Sequence, residues 1–423
     1  MARISYTILF IFIFFYGFPQ PDEFYYENAV YKEEIKTVML YRDGYELSNP
    51  VLELNEDAFL VLKFDDLSGE PKNYYYTIIH CDAGWKESFI LQNEYIGGFT
   101  DNPVDDYALS FNTTYKYVNY RVEVPNEDVQ LKFSGNYIIL VYEDNDKENL
   151  VLTKRFSVVE PLTTIGGTVR RATLDAFKGE NHEIDFTITH ENFRIEDPAR
   201  DVKVVIQQNN RWDNAITDLK PLFIRDHELI YDYDRENVFP AGNEFRYFDI
   251  RTTRLNGEGV FRTDFHRPYY HATLIPDEPR AGKRFFPYKE MNGSYVVESQ
   301  DDYIDDYDLE CDYVFVHFSL DLGTILTGGT VNVFGALTDW NANKSNEMAW
   351  NFNESRYELA LLLKQGYYNY QYAWVEEGSP TANLTNIEGS YWEADNDYQI
   401  FVYYSDIAGR YDRLIGYKQL SLR

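Results

Sequence analysis

The residues best suited to covalent chemistry adjoin at one place, where His80, Cys81 and Asp82 follow one another. A cysteine, a histidine base and a carboxylate are the residue types of thiol-dependent catalysis. They end a run rich in tyrosine and isoleucine, Tyr74–Cys81, which predicts a β-strand. Neighbouring side chains of a strand point to opposite faces, so His80 and Cys81 cannot form a catalytic dyad. We therefore interpret Cys81 as a small buried core residue.

An acidic run between residues 301 and 312 could supply oxygen ligands to calcium. Its members are Asp301, Asp302, Asp305, Asp306, Asp308, Glu310 and Asp312. The run lacks the acid order and the glycine turn of a calcium-binding loop, which favours a solvated acidic linker. The histidines show no paired spacing for zinc, and no phosphate-binding glycine motif is present. We expect no enzyme activity, no cofactor and no metal.

The elements that would position these residues are β-strands. The 423 residues include 38 Tyr and 29 Phe but only 2 Cys and 7 His, and aromatic side chains suit the half-buried surface of a strand. Alternating runs such as Phe59–Phe64 and Tyr313–Leu320 are separated by turn residues, and no run has a helical period of useful length. The sequence predicts an all-β fold of tandem immunoglobulin-like β-sandwich domains.

Turn-rich and polar stretches divide the chain into four segments. Residues 1–20 hold one cation, Arg3, before a short apolar run and predict a signal peptide, with a retained N-terminal anchor as the alternative. We expect an N-terminal sandwich at residues 21–160, a middle sandwich with a polar linker at 161–308 and a C-terminal sandwich at 309–423. Cys81 and Cys311 would form an interdomain disulfide or, as the favoured interpretation, remain buried free thiols.

The chain is strongly acidic, with a formal net charge of −31. Such a surface repels the phosphates of nucleic acids and anionic lipids, so neither is an expected partner. After the signal no stretch is long and apolar enough for a membrane helix. We expect the mature chain to be a monomer that does not insert into a membrane.

One pattern near the C-terminus is associated with carbohydrate. Residues Phe334–Trp340 and Gly366–Tyr372 resemble the early-set immunoglobulin-like modules of glycogen-binding subunits. Sugar rings stack on exposed aromatic faces, so Trp340 and Trp374 are candidate glycan platforms. The alternative function is thus a secreted carbohydrate-binding β-sandwich protein. Packing of both rings inside the sandwich is the favoured interpretation.

Longer strings along the whole chain carry a more specific resemblance. They are Tyr76–Trp85, Phe111–Thr114, Pro125–Val129, Val204–Asn209, Arg211–Ala215, Ala241–Asp249 and Arg410–Tyr417. In this order they resemble the type IX secretion system plug protein family of Bacteroidota. The resemblance implies a non-enzymatic protein of the periplasm, associated with the outer membrane. Its partner would be a large outer-membrane β-barrel translocon, whose channel it occludes.

A plug needs a contact surface that seals reversibly against its partner. Such interfaces place aromatic anchors within a polar rim. The loop aromatics predicted to contact the partner are Phe99, Tyr115, Tyr117, Trp212, Tyr269 and Tyr270. For each of them, half-buried packing within a sandwich is the alternative.

Overall fold

The computed structural model describes residues 26–217, 219–301, 303–405 and 409–422. The predicted signal peptide, residues 1–20, lies outside these ranges. The helices within these ranges are short: four single turns, Gln92–Tyr95, Pro198–Asp201, Tyr307–Glu310 and Thr385–Glu388, and a 3-10 turn, Ala336–Thr338. Strands make up the rest of the regular structure, which confirms the all-β prediction. Within the described ranges, no helix has the length and apolarity to cross a membrane.

The N-terminal sandwich comprises two facing sheets and a small ribbon. The first sheet contains, in spatial order, Ala29–Val30, Leu150–Val159, Gly135–Glu143, Tyr74–Cys81 and Asp101–Pro103, with Val51–Glu53 beside Leu150–Val159. The second sheet contains Ile35–Arg42, Leu60–Asp66, Val118–Val124 and Asp106–Leu109, and the ribbon pairs Val129–Leu131 with Ile96–Gly98. Aromatic rings fill the core between the sheets, where Phe64 stacks on Tyr120 with ring centroids 5.1 Å apart.

The middle sandwich combines two distant parts of the chain. Its first sheet contains Thr164–Arg171, Asn181–Thr189, Glu228–Tyr231 and Phe223–Arg225, with Val238–Pro240 beside Asn181–Thr189. Its second sheet contains Arg211–Ile216, Val202–Gln208, Asp397–Tyr404 and Arg413–Ser421. Ile184 from the first sheet packs with Val204 and Ile400 from the second in one buried core.

The residues between these two parts form a third unit, the inserted sandwich. One sheet contains Arg246–Asp249, Gly366–Glu376 and Tyr295–Val297, with Gly329–Phe334 beside Gly366–Glu376. The other contains Val260–His266, Tyr269–Leu274, Tyr313–Leu320, Arg356–Lys364 and Ala349–Asn351. Both ends of the insert meet, because the Asn396 side chain donates a hydrogen bond to the Ala241 carbonyl at 2.8 Å.

The predicted domain boundary between residues 308 and 309 does not match the sheets in the second half of the chain. The final strands, Asp397–Tyr404 and Arg413–Ser421, complete the middle sandwich rather than a C-terminal one. The strand Tyr295–Val297 pairs with Gly366–Glu376 inside the segment predicted as a polar linker. The physical reason is that apolar alternation identifies strands but does not select their distant partners.

The N-terminal and middle sandwiches meet at a largely apolar joint. Ala83 of the first packs with Phe401 and Leu414 of the second. The buried carboxylate of Asp412 accepts hydrogen bonds from the Ala83 backbone N–H at 2.9 Å and from Lys203 Nζ at 2.8 Å. The two units therefore share both apolar and polar contacts.

The N-terminal and inserted sandwiches are joined by a buried ion pair, which we call the Asp65 bridge. Lys364 Nζ donates to Asp65 Oδ2 at 2.7 Å, and the Tyr313 hydroxyl donates to the same oxygen at 2.7 Å. Asp65 is 0% exposed and Lys364 is 1% exposed. Lys364 Nζ also lies 4.3 Å from the centroid of the Tyr117 ring. Every charge removed from water here has a partner, as a buried pair requires.

Part of the acidic run lies in the same joint. Asp308 pairs with Lys63 Nζ of the N-terminal sandwich at 2.5 Å. Asp312 accepts from the backbone and the hydroxyl of Thr114 at 2.6 and 2.9 Å. The expectation of a solvated linker is therefore wrong for Asp308 and Asp312, because they bind groups across the joint. In the described part of the chain, no His, Cys, Asp or Glu cluster is arranged to hold a metal ion.

Candidate partner-binding surface

Three large apolar side chains are exposed on two neighbouring segments of the N-terminal sandwich. Phe89 is 94% exposed, Leu91 is 69% exposed and Phe99 is 65% exposed. We call this group the apolar tip. Single exposed apolar residues are common in proteins, but grouped ones mark interaction sites. The apolar tip is therefore a candidate contact surface.

Hydrogen bonds bring the two chain segments of the apolar tip together. The Gln92 side chain, next to Leu91, donates to the Thr77 hydroxyl at 2.8 Å. That hydroxyl donates to the carbonyl of Thr100, next to Phe99, at 2.7 Å. One threonine in the middle of the strand Tyr74–Cys81 thus links the two segments that carry Leu91 and Phe99.

A glycine is required where the chain turns into Phe99. Gly98 has a positive φ of +98°, and a Cβ atom there would lie 2.1 Å from the Asp128 carbonyl oxygen. The Phe99 N–H donates to that carbonyl at 2.9 Å. Only glycine can adopt this backbone conformation without a clash, so Gly98 fixes how Phe99 is presented.

Glu94 connects the apolar tip to the middle sandwich. Its carboxylate accepts from the Leu91 N–H at 2.9 Å and from the Arg410 guanidinium at 2.7 Å. The hydrogen bond from Arg410 lowers the pKa of Glu94 below its ordinary value. The single-turn helix that follows Leu91 is thereby fixed to both units.

The side chain of His80 is buried and hydrogen-bonded to Ser88, the residue before Phe89 of the apolar tip. Its Nε2 lies 3.2 Å from the Ser134 carbonyl oxygen, which can only accept, so Nε2 carries the proton. Its Nδ1 then accepts from the Ser88 hydroxyl at 2.8 Å, directly before Phe89. Burial lowers the pKa of His80 from 6.5 to about 4, so the ring is neutral and structural at pH 7.

This burial predicts a specific loss of stability in acid. The unfolded imidazole takes up a proton near pH 6.5 while the folded one stays neutral. The contribution is present above pH 6.5 and is lost as the pH falls, by about 2 kcal/mol between pH 8 and pH 5. Urea unfolding at pH 8 and at pH 5 measures this loss. The loss in His80→Gln should be about 2 kcal/mol smaller than the loss in the wild type. The control His227→Gln changes an exposed histidine and should retain the full loss. Equal pH dependence in wild type and His80→Gln would contradict the prediction.

Cys81 is on the opposite face of its strand from His80, as the strand alternation predicts. His80 contacts the ring of Tyr137 at 4.8 Å, whereas Cys81 packs with Trp85 and Ile138. Burial raises the pKa of the Cys81 thiol to about 12, so it is not a nucleophile at neutral pH. Cys81 and Cys311 are both buried free thiols, which confirms the favoured interpretation.

Comparisons with known proteins identify the N-terminal sandwich. Residues 35–160, which include the apolar tip, match the type 9 secretion system plug protein 1st domain. A crystal structure of a hypothetical protein from Parabacteroides merdae ATCC 43184 is 37% identical, with a TM-score of 0.91 over 94% of this chain and 100% of that one. Residues 35–160 therefore carry the first domain of the type 9 secretion system plug proteins. No curated protein matches the chain.

The plug proteins that the first domain resembles are structural, non-enzymatic parts of a secretion system. The likeness to the Parabacteroides merdae protein extends over nearly the whole chain. The inserted sandwich is therefore part of the shared architecture.

Four of the six residues predicted as plug contacts differ in how far they are exposed. Phe99 is exposed at the apolar tip. Tyr115 and Tyr269 are half-buried and stack on each other across the joint, with ring centroids 4.8 Å apart. Tyr117 is fully buried, and its hydroxyl donates to the Cys311 carbonyl at 3.0 Å. Its prediction as an exposed contact is therefore wrong.

The other two predicted plug contacts are half-buried within the protein. Trp212 packs edge-on against Trp85 with ring centroids 5.0 Å apart. Tyr270 packs against Phe265 at 4.7 Å and against the core of the inserted sandwich. Their half-buried packing was the stated alternative.

The two candidate glycan platforms lie in separate places. Trp340 is half-buried between Phe245 and Phe334, at 5.8 and 5.6 Å, and lines a cavity of about 160 Å³ at the meeting of the three units. Trp374 lines a second cavity, of about 370 Å³, between the middle and inserted sandwiches. The rings therefore do not form one shared platform.

Sequence reasoning missed Phe89 and Leu91 at the apolar tip of the plug domain. They lie in the short run Ser88–Leu91, between a turn and a single-turn helix, where no strand alternation predicts a buried face. A usable signal was the placement of two large apolar residues in a connection. Connections run over the surface and carry contact residues more often than core ones.

Proposed function

We propose that this chain is the periplasmic plug that occludes the outer-membrane translocon channel of the type IX secretion system. The observation that carries this proposal is the match of residues 35–160 to the first domain of the plug proteins. The family implies a periplasmic location near the outer membrane. The partner is a large outer-membrane β-barrel, and the plug acts as a monomer.

The way the three units are joined supports a role as a stopper. A plug works by shape, so its domains must hold their relative positions when the barrel presses on them. The Asp65 bridge fixes the inserted sandwich to the N-terminal one, and Asp412 fixes the middle one. Breaking these buried polar contacts would leave a charge buried without its partner, which opposes a change in the relative positions of the units.

The apolar tip is the surface that we propose to contact the barrel. Phe89 and Phe99 present large rings to solvent, and aromatic anchors supply most of the binding energy of protein interfaces. The hydrogen bonds of Gln92, Thr77 and His80 hold them before binding, which lowers the ordering cost of association.

Two measurements test the proposal as a whole. Crosslinking of the chain in its native envelope, followed by mass spectrometry, should recover a very large outer-membrane β-barrel. The purified barrel in a planar lipid bilayer should then conduct ions, and addition of the chain should close it. A barrel that is recovered but not closed would reject occlusion. Retention on a glycan column without a barrel would favour the carbohydrate-binding alternative.

A double substitution at the apolar tip should weaken capture of the barrel. Phe89→Ser combined with Phe99→Ser removes both rings, and the affinity should fall by about tenfold or more, because buried aromatic anchors each contribute more than about 1 kcal/mol. The measurement is a binding isotherm of the purified chain on the immobilised barrel.

Phe352→Ser provides the matched control for this substitution. Phe352 is 79% exposed but lies in the inserted sandwich, outside the apolar tip. It should leave the affinity unchanged. An equal loss in the control, or none in the double variant, would place the barrel contact elsewhere on the chain.

A further inference from the structure

The strand Asp106–Leu109 lies at the edge of the second sheet of the N-terminal sandwich. Within the described ranges it pairs with Val118–Val124 and with no other strand. Its residues are exposed except for Ala108, which is half-buried. An edge strand of this kind offers backbone groups to which another extended chain can bind. We call residues 106–111 the open edge.

The hydrogen bonds show which backbone groups of the open edge point away from its sheet. The Ser110 N–H donates to the Tyr117 carbonyl at 2.9 Å, so the backbone of Ser110 faces the neighbouring strand. The backbone groups of successive residues in a strand point in opposite directions within the sheet. Those of Tyr107 and Leu109 therefore point outward, toward the position of an additional strand.

Main-chain pairing already occurs at one end of the open edge. The N–H of Phe111, two residues after Leu109, donates to the Leu309 carbonyl at 3.1 Å. Leu309 belongs to the inserted sandwich, where it lies in the single turn Tyr307–Glu310. A strand added beside Tyr107 and Leu109 would therefore continue an interface that the protein already forms with its own chain.

The side chains of the open edge form an apolar stripe. Tyr107, Leu109 and Phe111 are 48%, 55% and 47% exposed. Tyr107 and Leu109 lie opposite Tyr120 and Val118, which are fully buried, so they share the core face of the sheet. The rings of Tyr107 and Tyr120 are 5.6 Å apart. The stripe thus extends the apolar core as far as the solvent.

The opposite face of the open edge is acidic. Asp106 adjoins Tyr107 in the strand and therefore lies on this other face, with a side chain that is 74% exposed. Around Arg121 are three carboxylates, those of Glu123 at 2.7 Å, Asp43 at 3.6 Å and Asp106 at 4.0 Å. Three acids around one cation leave an excess of negative charge. This face therefore attracts basic side chains.

We propose that the open edge binds an extended partner segment in which apolar and basic residues alternate. The segment adds a strand to the sheet and pairs with the backbone of Tyr107 and Leu109. Its apolar side chains cover the stripe, and its basic side chains meet the acidic face. Main-chain hydrogen bonds give such a complex its affinity, and the alternate side chains give it specificity. The proposal depends neither on the apolar tip nor on occlusion of a channel.

Fluorescence anisotropy on the predicted mature chain, residues 21–423, tests this proposal. The probe is the labelled peptide Lys-Val-Lys-Ile-Lys-Val-Lys. The comparison peptides replace every lysine by glutamate or every apolar residue by glycine. The basic and apolar peptide should bind with a Kd of about 100 μM or tighter, and at least tenfold more tightly than either comparison. Deuterium uptake by residues 104–112 should fall on binding, because the amides of Tyr107 and Leu109 become hydrogen-bonded.

A proline variant tests the main-chain pairing. Leu109→Pro removes an N–H that points outward, so it should weaken binding of the basic and apolar peptide at least tenfold while the sheet keeps its own hydrogen bonds. Phe223→Pro is the matched control. Phe223 is 55% exposed in another edge strand, and its N–H also points outward, because the Leu222 N–H donates to the Ile230 carbonyl at 2.8 Å. This control should leave the binding unchanged.

A charge variant tests the acidic face without altering the backbone. Asp106→Lys changes an exposed side chain, so it should keep the melting temperature, weaken the basic peptide and strengthen the glutamate peptide. The proposal is overturned if the wild type does not bind the basic and apolar peptide saturably, or if the glycine peptide binds equally. It is also overturned if the two folded proline variants lose binding equally. A dimer in sedimentation that Leu109→Pro dissociates would overturn it too, because a second copy of the chain would then occupy the open edge.

Discussion

Replacing Lys364 by methionine is expected to lower the free energy of unfolding by about 3–5 kcal/mol. The substitution keeps the length of the side chain but leaves the Asp65 carboxylate buried without its cation. Tyr313 and Asn119 still donate to that carboxylate at 2.7 Å each, but neither carries a charge. Urea unfolding at pH 7 measures the loss.

The control for this prediction is a surface ion pair of the same unit. Lys344 pairs with Glu347 at 2.8 Å, and its side chain is 89% exposed, so Lys344→Met should cost less than about 1 kcal/mol. Combining Lys364→Met with Asp65→Asn should recover part of the loss, because no unpaired charge then remains buried. Equal effects of Lys364→Met and Lys344→Met would show that the Asp65 bridge does not stabilise the joint.

Calorimetry adds a readout that a simple loss of packing would not change. The Asp65 bridge connects two separate cores, one in each sandwich. With the bridge broken, the inserted sandwich should unfold in a transition of its own rather than together with the N-terminal one. A single cooperative transition in Lys364→Met would contradict this coupling role.

Replacing Glu388 by glutamine is expected to lower the free energy of unfolding by about 3 kcal/mol. Glu388 is 0% exposed and accepts from Arg246 Nε at 3.0 Å and from Arg280 Nε at 2.6 Å. Burial acts to raise the pKa of Glu388, but the two guanidinium groups outweigh it and hold the pKa below 4.5. Glutamine keeps the shape of the side chain and removes the charge that both arginines face.

The sign of the pH dependence distinguishes this charge effect from lost packing. Because the folded pKa lies below 4.5, the stabilisation is present above that pH and is lost as the pH falls through the folded pKa. Wild type and Glu388→Gln should therefore differ most in stability at neutral pH and converge in acid. Glu377→Gln, at an exposed acid of the same unit, should match wild type at both pH values. A constant difference at all pH values would reject the charge explanation.

The strand content of this protein could be predicted from the sequence because it is a local property. Runs such as Tyr74–Cys81 and Tyr313–Leu320 alternate and end at turn residues, and both are strands in the structure. The separation of His80 from Cys81 followed from the same period of two. Such inferences need only the geometry of one strand.

The insertion could not be predicted in this way. Nothing in the alternation of Val202–Gln208 indicates that its sheet partner is Asp397–Tyr404 rather than a nearer strand. The partner is selected by the apolar core that both strands enclose. The nearest suitable strands were the natural assumption, and this placed the boundary at residue 308.

The candidate site was only partly accessible from the sequence. Phe99 was predicted because two glycines precede it, and glycines mark exposed turns. Tyr117 lies among polar and aromatic neighbours that also indicate a loop, yet it is buried by a unit that is distant in the chain. Exposure of a loop aromatic depends on what packs over it, and that is a tertiary property.

Ala241 and Asn396 lie in contact at the two ends of the insert. This arrangement determines the order in which the parts of the protein can fold. The middle sandwich has one sheet early in the chain, but half of the other arrives only with residues 397–421. A chain that emerges from its N-terminus exposes Val202–Gln208 long before that partner is available. The N-terminal sandwich and the insert can each close as soon as they emerge, whereas the unit between them must wait for the final strands.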